Sequence, residues 1–155
     1  MKRAEIIKIL FLCTGSSCRS QMAEGWTRAL KGDLIEVYSA GIETHGLDPM
    51  AVEVMAEAGV DISRQTSKHG NTLIHIAFDT VITVCDNARE TCPYFPWAKK
   101  VMHVGFNDPP AMAKALAAQG ASKEERRNCY RRVRDQIRAF VETLPDSLEA
   151  KEYSG

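Results

Sequence analysis

No stretch of this 155-residue chain approaches the run of about 20 apolar residues that a membrane-spanning helix requires. The first residues also lack an apolar segment followed by a small-residue cleavage site, so export is not expected and a cytoplasmic protein is. Charge of one sign is lacking too, since 20 Lys and Arg balance 20 Asp and Glu. That balance argues against nucleic acid or an anionic membrane as partner. Arg126, Arg127, Arg131, Arg132 and Arg134 still form a local basic run, read as the solvated face of a late helix. The histidines, His45, His69, His75 and His103, stand at no metal-ligand spacing and receive no role. There is no internal repeat. What is present is apolar material: 45% hydrophobic residues suffice for a two-sided core in one domain, expected over residues 1–148, with 149–155 as a frayed tail.

The apolar residues are arranged for a parallel α/β sheet. Ile6 to Leu12 is a short run of bulky and β-branched residues, the pattern of a strand buried on both faces. Leu34 to Tyr38, Asp79 to Val84 and Lys100 to Val104 read as three further strands, each separated from the last by room for a crossover helix. Met22, Ala23, Trp26, Ala29 and Leu30 recur at helical steps after Ser17 and stop at Gly32. Asp48-Pro49 starts another helix that Gly59 closes, Ala111 to Ala121 is helical by composition, and Ser122-x-x-Glu125 is a capping box opening the last helix. A doubly wound order 2-1-3-4, with helices on both faces, sets the first and third strands side by side.

The chemistry sits where the first strand meets the first helix, in Cys13-Thr-Gly-Ser-Ser-Cys18 followed by Arg19 and Ser20. Unpaired N–H groups and the positive end of the helix dipole favour an anion there. Thr14, Gly15, Ser16, Ser17, Cys18, Arg19 and Ser20 are therefore the expected substrate-binding loop. Gly15 lets the backbone curl around the ligand, and the Arg19 fork can hold two oxyanion oxygens. Cys13 ends the first strand in a field that suits a thiolate nucleophile. Cys85 ends the third strand, and Asp108 follows the fourth at the same edge of the sheet.

Five cysteines in a reducing compartment are read as redox or metal chemistry before structural staples. A zinc site built from Cys13, Cys18, Cys85 and Cys92 is disfavoured, because Arg19 would set a positive charge beside the ligands and Cys85-x6-Cys92 is wider than the usual zinc pair. Cys18 reads as a helix-start residue and Cys129 as an edge residue of the last helix. Seven residues of helix would hold Cys85 and Cys92 about 10.5 Å apart, whereas a disulfide tolerates at most about 7 Å between Cα atoms. If these two pair, the segment between them cannot stay helical throughout. The alternative is that Cys85 is a small buried hydrophobe and Cys92 an incidental thiol beside Pro93.

Taken together these motifs resemble the thioredoxin-coupled arsenate reductases, which share a fold and phosphate loop with the low-molecular-weight tyrosine phosphatases. The resemblance runs through Cys13 to Trp26, Val37 to Gly46, Asp61-Ile62-Ser63, Gln65-Thr66-Ser67, Cys85, Cys92-Pro93 and Asp108-Pro109. It implies that Cys13 attacks arsenate, Arg19 and the loop amides stabilise the oxyanion, and Asp108 protonates the leaving oxygen. It implies further that Ser20 hydrogen-bonds the Cys13 thiolate. Cys85 then resolves the arsenic adduct, Cys92 displaces Cys13, and thioredoxin reduces the resulting disulfide. No bound cofactor and a monomeric protein are expected.

Two departures from the family stand out. Its members usually carry Asn where this chain has Ser16. Some also hold a monovalent cation near Glu24 and Ser39 with an acidic residue where this chain has Lys68, so the Lys68 ammonium is expected in place of that cation. A phosphatase is the nearest rival, though phosphatases of this fold typically have proline at Gln21, an aromatic residue at Pro110 and no counterpart of Cys85 and Cys92. A non-enzymatic thiol or metal sensor is the other, and it would need an effector segment that the sequence does not contain.

Overall fold

The computed structural model describes residues 6–15, 17–85 and 98–150. Four strands form one sheet: β1 (Ile7–Cys13), β2 (Ile35–Gly41), β3 (Thr80–Thr83) and β4 (Val101–His103). They lie in the order β2-β1-β3-β4, as expected, and all pair in parallel, as the alternation of apolar runs and helical segments implies. Ile9, Leu10, Phe11 and Leu12 are buried on both faces, which is why β1 reads as an unbroken apolar run. Fully burying such a side chain stabilises the fold by about 1.5–3 kcal/mol. β2 is longer than expected, continuing through Ser39, Ala40 and Gly41, small residues that look like a turn but lie buried against β1.

The larger core joins Ile9, Phe11, Val37 and Ile82 of the sheet to the helices α1 (Arg19–Lys31), α2 (Pro49–Glu57) and α4 (Lys123–Val141). Leu10, Leu12 and Val81 face the other way, onto Leu73 of a 3-10 turn (Gly70–Leu73) and Phe78. Trp26 ties the first face together: it is 2% exposed, and its indole N–H donates to the Arg134 carbonyl of α4 at 3.1 Å.

Helix starts obey their side chains. Asp48 caps α2 through Met50 N, with Pro49 behind it, and Ser122 and Glu125 close a reciprocal capping box on α4. Gly59, at φ +88°, takes the left-handed turn after α2. Gly32 does not act this way: it caps α1 in right-handed helical geometry. Helix α3 (Pro109–Ala118) starts two residues before the alanine-rich stretch because Pro109 fits the first helical position. A short helix α5 (Asp146–Ala150) takes in two residues expected to belong to a frayed tail.

Two readings of α4 change. Cys129 is 1% exposed, so it is interior rather than an edge residue. Much of the basic run is also no free solvated face. Arg127 pairs with Glu53 at 2.5 Å, and Arg131 and Arg134 pair with Glu57 at 2.7 and 3.3 Å, zipping α4 onto α2. Arg134 further donates to the Val54 carbonyl at 2.8 Å.

Candidate active site

β1 delivers Cys13 to the carboxyl edge of the sheet, and α1 begins six residues later at Arg19. The loop between them is fixed from outside. The amides of Glu43, His45 and Asp48 donate to the carbonyls of Thr14, Gly15 and Ser17, each at 3.0 Å. The Ser67 hydroxyl donates to the Gly15 carbonyl at 3.3 Å. These bonds draw the loop's carbonyls toward the segment that follows β2. A cavity of about 120 Å³ lies at the loop, lined by Cys13, Thr14, Gly15, Ser17, Cys18 and Arg19, with His45, Asp108 and Pro110. Ser16 lies outside the described residues.

Cys13 carries a free thiol, 2% exposed, with its sulfur 3.0 Å from the Ser20 hydroxyl. Ser20 is itself fully buried. A thiolate has no proton to give, so in that state the serine donates. Arg19 is 4% exposed; it donates to the Phe106 carbonyl at 3.2 Å and lies 3.7 Å from Asp108. These contacts aim a buried guanidinium at the cavity. Asp108 occupies the N-cap position of α3 yet makes no capping hydrogen bond, and its side chain stays one-third exposed beside Arg19.

Cys18 also lines the cavity, but burial pushes its thiol up, reinforced by Asp48 and by Cys13, so it stays protonated. Asp48, besides capping α2, accepts from the Tyr130 hydroxyl at 2.6 Å, and burial raises that phenol as well. Tyr130 thus ties α4 to the loop that grips the anion site.

β1 pairs with β3 in the register Leu12 to Thr83. Cys13 ends β1, whereas β3 stops at Thr83, so Cys85 lies two residues beyond the strand it was expected to end, on the same carboxyl edge of the sheet. Cys85 is fully buried and disulfide-bonded. Cys92 lies outside the described residues.

Beneath the loop a polar network holds the first turn of α1. Gln21, fully buried, donates to the Thr66 carbonyl, while Gln65 donates to the backbone and side-chain oxygens of Gln21, all at 2.9 Å. Glu24 accepts from Ser39 and from Arg28. The Lys68 ammonium donates to the carbonyls of Ser39 at 3.1 Å and Thr66 at 3.0 Å. Among the described residues no group of three or more His, Cys, Asp or Glu could hold a metal ion.

Sequence reasoning missed His45, Asp48 as a loop anchor, Tyr130 and Gln65. His45 stands in the Val37 to Gly46 stretch, but nothing near it in sequence announces that its loop walls the anion site.

Residues 8–154 match the family described as low molecular weight phosphotyrosine protein phosphatase. An arsenate reductase of Halalkalibacterium halodurans is 47% identical over 90% of this chain and 95% of its own length. An arsenate reductase of Bacillus subtilis is 49% identical over 87% of this chain and 95% of its own. Among solved structures, an arsenate reductase in the phosphate binding state superposes with a TM-score of 0.71 at 33% identity, covering 90% of this chain and 96% of that one. An arsenate reductase in oxidized state gives 0.69 at 30% identity with the same coverage. The family match over residues 8–154 and these likenesses along most of its length show that the chain belongs to the low molecular weight phosphotyrosine protein phosphatase family, beside members named arsenate reductases.

Proposed function

We propose that the protein is an arsenate reductase that works by a relay of three thiols. The observation that carries this reading is the meeting of Cys13, Arg19 and Asp108 at one small cavity, with Cys85 two residues beyond the end of the adjoining strand. Cys13, with Ser20 donating to its sulfur, attacks arsenic. Arg19 and the loop amides take up the oxyanion charge, and Asp108 gives a proton to the departing oxygen, which leaves as water. The Cys85 thiolate attacks the Cys13 sulfur. An S–S bond forms, the S–As bond breaks, and its electron pair reduces As(V) to As(III), released as arsenite.

Cys92 then attacks Cys85, freeing Cys13 and leaving a Cys85–Cys92 disulfide for thioredoxin to reduce by thiol exchange. A disulfide at Cys85 beside a free Cys13 suits the last stage of this cycle. The relay needs a protein dithiol and a reducing compartment, which places it in the cytoplasm, acting as a monomer without a resident cofactor. Lys68 replaces a monovalent cation beside Glu24 and Ser39.

Cys13, Arg19 and Asp108 also suffice for weak phosphomonoester hydrolysis, because phosphate and arsenate share shape and charge. Cys85→Ser separates the two activities. Multiple-turnover arsenate reduction should vanish while p-nitrophenyl phosphate hydrolysis persists; equal loss of both would contradict this division.

A further inference from the structure

The amides that hold the anion loop from outside belong to the segment after β2, in which Ile42, Glu43, Thr44, His45 and Gly46 are all exposed. Its near end is fastened at Gly41, whose amide donates to the Lys68 carbonyl at 2.9 Å. Its far end is fastened at Asp48. There one residue makes three bonds: its amide donates to the Ser17 carbonyl at 3.0 Å, one carboxylate oxygen accepts from the Met50 amide at 2.9 Å, and the other accepts from the Tyr130 hydroxyl at 2.6 Å. Tyr130 is 4% exposed, and burial together with Asp48 keeps its phenol protonated, so it is a standing donor. A peptide unit is planar and trans, with its C=O and N–H pointing in opposite directions. Holding the Ser17 carbonyl therefore fixes the whole Ser17–Cys18 peptide, which leads directly into α1 and Arg19.

We propose that Tyr130 is a positioning residue that acts through Asp48, holding the Ser17–Cys18 peptide in the orientation that binds the substrate oxyanion. Tyr130 does not line the cavity and touches no reacting atom. It is a strut from α4, whose Val133, Ile137 and Val141 belong to the larger core, to a segment that is otherwise largely exposed. Without the hydroxyl the half-buried Asp48 carboxylate keeps only the Met50 amide and turns toward water. The anion must then order the loop itself, and the cost of that ordering is subtracted from its affinity. The proposal rests on the reading of this cavity as the oxyanion site and is independent of the thiol relay.

The test is equilibrium binding of inorganic phosphate to the full-length reduced protein, with a thermal melt on each variant. Phosphate is not reduced, so the result is separate from arsenate turnover, whose failure would count against the relay instead. Tyr130→Phe should bind phosphate about five- to tenfold more weakly, the scale of one hydrogen bond. Asp48→Asn keeps an oxygen for the Met50 amide but offers Tyr130 no second acceptor. It should weaken phosphate to a similar degree, and adding Tyr130→Phe to it should cost nothing further. The Cys18 amide resonance should shift in unliganded Tyr130→Phe and match the wild type at saturating phosphate. Wild-type phosphate affinity in Tyr130→Phe, whatever its melting temperature, would assign the tyrosine a merely structural role and overturn the proposal. The same loss with and without Asp48→Asn would overturn it too, since Tyr130 would then act by another route.

Discussion

Ser20→Ala removes one oxygen from the centre of the site. In the wild type that hydroxyl is fully buried and 3.0 Å from the Cys13 sulfur. A hydrogen bond to a charged group is worth about 1.5–3 kcal/mol, and each 1.36 kcal/mol is tenfold in rate, so the variant should lose about 10- to 150-fold in kcat/KM. The loss should be the same for arsenate reduction and for p-nitrophenyl phosphate hydrolysis, because both begin at Cys13. Stability should hardly change: Ser20 is in the first turn of α1, where alanine is a good helix former and leaves a void of only one oxygen. Steady-state kinetics on both substrates, with a thermal melt as control, measure all three quantities. A variant within twofold of wild type on both substrates would refute the claim that Ser20 supports the nucleophile.

Two further outcomes follow from particular contacts. Because the Lys68 ammonium already sits on the Ser39 and Thr66 carbonyls, turnover in potassium and in a bulky organic cation should be equal; strong potassium activation would contradict the substitution. Cys18 and Tyr130 both have folded-state pKa values raised by burial, so the folded protein keeps their protons after the unfolded chain has released them. Their contribution to stability is whole below the unfolded values of about 8.5 and 10, and is lost as pH rises beyond them, by roughly 1.4 kcal/mol per pH unit for each group. Urea midpoints across the alkaline range should fall accordingly, with the higher branch absent in Tyr130→Phe; a flat profile above about pH 10 would count against it.

What could be read from the sequence was what is local to it. An apolar run, a glycine and an amphipathic helix within 25 residues define the anion loop, and Asp48-Pro49 and Ser122-x-x-Glu125 define two helix starts. The strand order followed from the alternation of strands and helices and the doubly wound pattern it fits rather than from any one residue. What stayed hidden depends on partners distant in the chain. Tyr130 reaches Asp48 across 82 positions, and Gln65 reaches Gln21 across 44. Neither pairing has a periodicity to betray it. The basic run misled in part for the same reason, since Glu53 and Glu57 of α2 pair with Arg127, Arg131 and Arg134 beside the local acids Glu124 and Asp135. The small residues ending β2 look like a turn until the neighbouring strand is seen to bury them.

The central claim is a relay in which electrons enter at the distal thiol and leave at Cys13. NADPH consumption with arsenate, thioredoxin and thioredoxin reductase, run beside Cys92→Ser, tests it most directly. Sustained turnover in the wild type that stops after a single turnover in the variant is the predicted result; no turnover in the wild type, with p-nitrophenyl phosphate hydrolysis intact, would contradict the relay and leave a phosphatase.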